Sequence, residues 1–233
     1  MNFDVNFALE NFWQAVAGIP NTLLVTFVAF IIGFPIAFFI AQVRIKNLPV
    51  LSQIAGIYIS FVRGTPVVVQ IFLVYNIALA YHFNPLYAAF FVFAVNCSAT
   101  YSEMWKSSLS SVGKGQLEAA HSSGLTTFQA YIHIIIPQSL SVAFPSLCSS
   151  TLTMLKNTSL VFIMSVQDIT AKAKIAAGLQ YKYIEGYLDI FIVYLIVCII
   201  LQRIFSVLEK KLSAHKLIDE KKKNKLLGKG LTA

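Results

Sequence analysis

Two charged residues stand where charge is costly. Glu103 closes the uncharged run Gly64–Ser102, and Lys156 closes the uncharged run Ala119–Leu155. A charge at membrane depth costs roughly 2.5–3.5 kcal/mol and is a functional candidate by default. A carboxylate and an ammonium could receive the two ends of a zwitterion, which needs a cation for its carboxylate and an anion or acceptors for its ammonium. Asn96, Ser98, Thr100 and Tyr101 precede Glu103, and Asn157, Thr158 and Ser159 follow Lys156, so polar groups gather at both places. A structural reading stands beside this one: Glu103 pairs with Lys106 three residues on, and Lys156 caps a broken helix. Arg63 reads as a headgroup anchor, and Gln70 and Asn76 as interhelical hydrogen-bonding groups.

Other chemistries find no residues. His121 and His133 lack metal-ligand spacing, and no metal site is expected. Cys97, Cys148 and Cys198 lie singly in apolar stretches and read as small buried hydrophobes. No nucleophile–base pair and no GxxxxGK[ST] phosphate loop occurs; "SVGKGQ" (111–116) lacks the spacing. The chain is not expected to hydrolyse ATP or hold a cofactor of its own.

The elements that must position these residues follow from composition. The 233 residues are 57% hydrophobic and 12% charged, with mean hydropathy +0.71; a soluble domain carries about 25% charged residues. A spanning helix needs roughly 20 apolar residues, and the uncharged runs Asn11–Val43, Gly64–Ser102 and Ala119–Leu155 provide that length. The fold class expected is an all-α polytopic membrane protein with about five transmembrane helices, at about Gly18–Val43, Thr65–Tyr81, Leu86–Leu109, Ser141–Val166 and Tyr187–Leu208. Thr65 and Pro66 read as N-cap and first helical residue of the second. The fourth is irregular near Pro145 and Lys156–Ser159, and "QDITAKAKIAAGLQYKYIEG" (167–186) reads as a polar connection.

Residues 1–212 form the membrane domain and 213–233 a basic tail. The net charge of +8 is not a nucleic-acid signature, because Arg203–Ala233 carries nine basic and three acidic residues, +6 of the total. The positive-inside rule places Arg44, Lys46, Lys106, Lys114 and the tail in the cytoplasm and the N-terminus outside; Lys172, Lys174 and Lys182 break the pattern, with Asp168, Glu185 and Asp189 partly offsetting them. No cleavable signal is expected at the N-terminus.

Between the third and fourth spans, residues 112–137 look soluble. Gln116–Ser123 can form two helical turns that Gly124 ends, and Thr126 with Gln129 makes a capping-box pattern that starts a second helix. Leu125, Phe128, Ile132 and Ile135 form one apolar stripe, and Pro137 is expected to break the helix before the fourth span. Such a cytoplasmic helix pair either connects its own spans or docks a soluble partner.

The spacing here resembles the cytoplasmic loop of ABC importer permeases: Glu118-Ala119-Ala120, then Gly124, then Ile134-Ile135-Ile136-Pro137, with Ile136 in place of the usual leucine. "GIPNTLLVT" (18–26), "FVRGTPVVVQIF" (61–72), "GKGQLEAA" (113–120), "IIPQSL" (135–140) and "LKNTSL" (155–160) are similar to the polar amino acid branch of that family. Gly113, Lys106 and Thr100 depart from it, where proline, arginine and an aromatic are usual.

The resemblance implies a permease in the bacterial cell membrane, paired with a second copy or a sister permease. It implies a cytoplasmic ATPase dimer that binds the ATP, and an extracytoplasmic solute-binding protein that delivers a polar amino acid or a derivative such as cystine. Glu118, Ala119, Ala120, Gly124, Phe128 and Pro137 become the ATPase-coupling residues. Asn96, Ser98, Thr100, Tyr101, Glu103, Lys156, Asn157, Thr158 and Ser159 become substrate-pathway candidates. A membrane scaffold or signalling subunit docking a non-ATPase partner, or a permease for another small polar solute, is the alternative.

Overall fold

A computed structural model describes residues 3–230, with the side chains of Lys114 and of residues 213–230 outside the description. The basic tail therefore lies outside the described side chains; its backbone continues the last helix. The helices are α1 (Val5–Val16), α2 (Ile19–Ile45), α3 (Pro49–Gly64), α4 (Val67–Ala80), α5 (Pro85–Ser111), α6 (Lys114–Ser122), α7 (Thr127–Ala130), α8 (Ile136–Asn157), α9 (Ile169–Leu179) and α10 (Tyr183–Gly230). A π-turn (Tyr131–Ile135) joins α7 to α8, and a 3₁₀ segment (Thr158–Met164) follows α8.

Three stretches are long and apolar enough to cross a membrane: Val5–Ile45, Thr127–Met164 and Tyr183–Leu212. The pair α3 and α4 is long and apolar enough only together, bent by 100° at the break between them, as a broken crossing or a re-entrant pair. The expected second span is thus only the second arm of this bent pair. At 1.5 Å per residue α4 reaches only about 21 Å, short of the roughly 30 Å hydrocarbon core. Thr65 does not cap it, because its hydroxyl donates back to the Phe61 carbonyl at 2.9 Å. The 27 residues of α5 reach about 40 Å; its polar residues, not its length, keep it out of the apolar set.

The core is the parallel pair α2 and α5. Without a hydrophobic drive between helices in lipid, small residues that admit close approach govern packing. Thr22, Thr26, Ala29, Gly33, Ala37 and Ala41 form such a stripe, all buried. A Cβ on Gly33 would stand 2.6 Å from the Cys97 Cβ and 2.8 Å from the Ala94 carbonyl oxygen, so glycine sets this distance. Phe34 and Phe38 pack on Trp105 with ring centroids 5.1 and 5.2 Å apart, within the range for favourable aromatic pairs.

A second layer, α1 with α9 and α10, packs around Ala15, Ile169, Ala173, Val193 and Leu155. The expected polar connection at 167–186 is therefore largely a buried helix, with Ile169, Ala171, Ala173 and Ala177 inward. Two of its three lysines are engaged: Lys182 pairs with Asp4, and Lys174 sits 4.1 Å from the centroid of Phe162. Asp168, Glu185 and Asp189 form no ion pair with these lysines. Asp168 N-caps α9 through the Ala171 amide at 2.8 Å, Glu185 accepts the Asp4 amide at 3.0 Å, and Asp189 accepts the Asn11 side-chain amide at 2.8 Å.

Candidate functional site

The soluble-looking segment is ordered by its own capping chemistry. The Gly124 amide donates to His121 (2.9 Å) and the Leu125 amide to Ala120 (3.1 Å), the paired bonds of a Schellman turn. Gly124 has φ +80°, where a side chain is strained. Thr126 and Gln129 then form a complete capping box. The result is an exposed face holding Glu118, Ala119, Gly124 and Phe128, with Ala120 turned inward. Phe128 is 74% exposed.

Two expectations fail here. Pro137 does not break the helix, which runs from Thr127 to Met164. The π-turn carries the chain through: the Ile136 amide bonds five residues back to Tyr131, and this wider turn makes room for a proline that lacks a donor. The same turn shifts the helical phase, so the expected apolar stripe divides. Phe128 and Ile132 are exposed, while Ala130 and Ile135 are buried.

The pathway candidates on α5 are tied to neighbouring helices. Asn96 donates to the Gln70 side chain at 2.7 Å, and Gln70 donates to the Val62 carbonyl at 2.8 Å. Ser98 meets the Tyr58 hydroxyl at 2.6 Å, and Tyr101 meets Thr151 at 2.6 Å. Gln70 thus bridges helices as expected. Asn76 does not; its amide donates to Phe72 in its own helix. Thr100 is half-buried.

Glu103 does not pair with Lys106. It forms an ion pair with Arg44 across α2 and α5, a partnership that sequence reasoning missed by taking Arg44 as a flank alone. Lys156 and Asn157 are exposed at the end of α8, Thr158 is buried, and Ser159 is half-buried. The α-to-3₁₀ change falls at Asn157–Thr158, the irregularity expected there.

The structure does not bring Glu103 and Lys156 together. Residues 18–22 at the start of α2 meet residues 167–169, and Leu155 packs in that same layer. Arg44, at the other end of α2, meets Glu103. Tyr101, two residues before Glu103, bonds to Thr151, five residues before Lys156, so the two charges sit at different levels of the α5–α8 pair and make no direct contact. Arg63, expected at headgroup level, ends α3 beside Val62, which Gln70 links to Asn96 in the middle third of α5.

A central parallel helix pair, a bent helix pair beside it and an exposed, capped segment between long apolar helices define a multi-pass membrane protein. Residues 33–214 match the model of the family described as binding-protein-dependent transport system inner membrane component, and the chain belongs to that family. It is 36% identical over 211 residues to the probable amino-acid ABC transporter permease protein YckA of Bacillus subtilis, covering 90% of this chain and 93% of that one. It is 34% identical over 222 residues to the L-cystine transport system permease protein TcyL of the same organism, covering 91% and 93%. The fold matches a crystal structure of an amino acid ABC transporter with histidines at TM-score 0.80 and 30% identity, covering 91% of this chain and all of that one. The MetNI methionine ABC transporter shares the fold at TM-score 0.69 and 17% identity, covering 88% and 96%.

Proposed function

We propose that the chain is the permease subunit of an ATP-driven importer for a polar amino acid, or a close derivative such as cystine. A solute-binding protein delivers the substrate, and a separate ATPase subunit binds and hydrolyses the ATP. The observation that carries this reading is the exposed Glu118–Phe128 face, held by a Schellman turn and a capping box, in a chain of this family. A rigid capped helix continuous with α8, and joined by Val112–Gly113 to α5, can transmit an ATPase movement as a lever; a floppy loop could not.

In this reading the 112–137 segment meets a cytoplasmic ATPase through Glu118, Ala119, Gly124 and Phe128, with Ala120 packed beneath that face and Pro137 carrying the joint. The N-terminus lies outside and the C-terminus in the cytoplasm. Five crossings are α2, the bent α3–α4 pair, α5, α8 and α10. A second copy or a sister permease completes the pathway, which receives Asn96, Ser98, Thr100, Tyr101 and the 156–159 break as candidate polar groups. Supporting the orientation, two of the three lysines that break the positive-inside pattern are engaged locally, Lys182 by Asp4 and Lys174 by the Phe162 ring.

The test is purification with the ATPase and binding protein, followed by ATPase stimulation in liposomes with each candidate amino acid. Stimulation by one polar amino acid supports the reading. Stimulation only by another class of solute overturns the substrate assignment, and an ATPase that never associates overturns the transport role.

A further inference from the structure

The residues around α3 sort into three sectors. Ala55, Ile59 and Val62 are buried, and Tyr58 bonds to Ser98 of α5. Val50, Ile54, Ile57 and Phe61 form an exposed apolar sector suited to lipid. Between them, at helical spacing, lie Gln53, Gly56, Ser60 and Arg63, of which Gln53, Ser60 and Arg63 are exposed. An open, shallow groove of about 790 Å³ is lined by Gln53, Gly56, Ile57, Ser60 and Phe61, and Arg63 lies one turn beyond Ser60.

The depth of this sector follows from its bonds. Val62 and Asn96 are both tied to Gln70, and Cys97 is the residue against which Gly33 packs. Gly33 lies near the middle of the 27-residue α2, and Cys97 stands about 18 Å along the 40 Å of α5. Arg63 therefore leaves the backbone near mid-depth, roughly 15 Å from either edge of the hydrocarbon core, farther than its side chain reaches by snorkelling. Among the described residues it makes no ion pair, hydrogen bond or ring contact. A guanidinium at that depth must face water or a partner, because a lipid-facing site is strongly disfavoured.

We propose that the Gln53–Gly56–Ser60–Arg63 sector of α3 is a wet wall of the solute pathway, and that Arg63 binds the substrate's carboxylate there. This rests on the amino acid importer reading. It puts the cation sought at Lys156 on the broken crossing instead, at the bend between α3 and α4. A planar guanidinium binds a carboxylate through two parallel hydrogen bonds, and the small Ser60 one turn away and the open space at Gly56 two turns away leave room for the rest of the zwitterion along the groove. A second permease facing the same groove would close the pathway from the other side.

The experiment uses the whole transporter, this chain with its permease partner, ATPase and binding protein, in proteoliposomes. Ser60→Cys and Ile54→Cys are treated with a charged, membrane-impermeant thiol reagent; Cys97 is buried, and Cys148 and Cys198 set the background. Ser60→Cys reacts at least about tenfold faster than Ile54→Cys, and the transported amino acid slows it while the matching amine without a carboxylate does not. Arg63→Gln leaves co-purification intact and lowers uptake roughly tenfold to a hundredfold, the span of one charge-assisted pair; Arg63→Lys recovers part of it. Equal, slow labelling at both positions overturns the wet wall. Unchanged uptake in Arg63→Gln overturns the carboxylate role, and loss of the permease partner in that variant makes the sector a subunit contact and overturns both. A wild-type complex that moves no amino acid defeats the importer reading instead, while the labelling rates still report whether the sector is wet.

Discussion

Gly124 separates two effects that glycine positions usually mix. Its φ of +80° puts an alanine there in the left-handed region, while a Cβ at this site meets nothing within 4 Å. In the chain by itself, Gly124→Ala therefore carries only backbone strain, about 1–2 kcal/mol. Gly124→Asn carries less, since asparagine tolerates that conformation. The strain falls on the two bonds that close α6, from Gly124 to His121 and from Leu125 to Ala120. A loss of 1–2 kcal/mol speeds local opening about 5- to 30-fold, readable as faster amide hydrogen exchange at Gly124 and Leu125. Against a docked ATPase the order reverses, because asparagine is the larger intruder where two backbones approach. The expected result is faster exchange in Gly124→Ala than in Gly124→Asn, but weaker ATPase association in Gly124→Asn than in Gly124→Ala. Association that tracks exchange, with alanine worse in both assays, would refute the close approach and leave Gly124 a turn former only. Unchanged exchange in Gly124→Ala would refute the capping argument itself.

Three other perturbations have clear signs. Gly33→Ala forces α2 and α5 apart against the Cys97 Cβ and the Ala94 carbonyl, which cannot rotate away; it should destabilise by about 1–3 kcal/mol in thermal unfolding in detergent, and an unchanged midpoint counts against that close contact. Phe128→Asp, on a side chain 74% exposed, should leave that midpoint within the range of about ±0.5 kcal/mol for surface changes yet reduce ATPase co-purification by at least about thirtyfold, as for a central apolar anchor; equal recovery would remove Phe128 from the interface. The hydrogen bond from Lys182, followed by the bond from the Phe7 amide, holds the Asp4 carboxyl below its ordinary 3.8. A depressed carboxylate contributes stability above that ordinary value and loses it as pH falls through the lower folded one. Protection of the first α1 amides should thus stay flat from about pH 8 to 5 and collapse only below about 4; a decline near neutrality would mean that another group ties α1 to α10.

What was legible in the sequence was local chemistry, and what was not depended on register between distant helices. Gly124, Thr126 and Gln129 could be read because each bond they make spans five residues or fewer. The passage of the helix through Pro137 could not, since the one extra residue that the Tyr131–Ile135 π-turn takes up leaves no signature in residue type. The bent crossing was hidden for a different reason: "RGTP" reads equally well as the start of a span or as a break within one, and only the 14-residue length of α4 distinguishes them. Arg44 and Glu103 lie 59 positions apart, and their pairing needs the parallel register that Gly33 and Cys97 set. The distance between Glu103 and Lys156 is the instructive case, because it required no structure. Each lies late in its own span, and consecutive spans run in opposite directions, so the two charges had to fall at different depths. A cation for the substrate's carboxylate has instead to be sought where a helix stops at mid-depth, and among the described residues that search leads to the end of α3 and to Arg63.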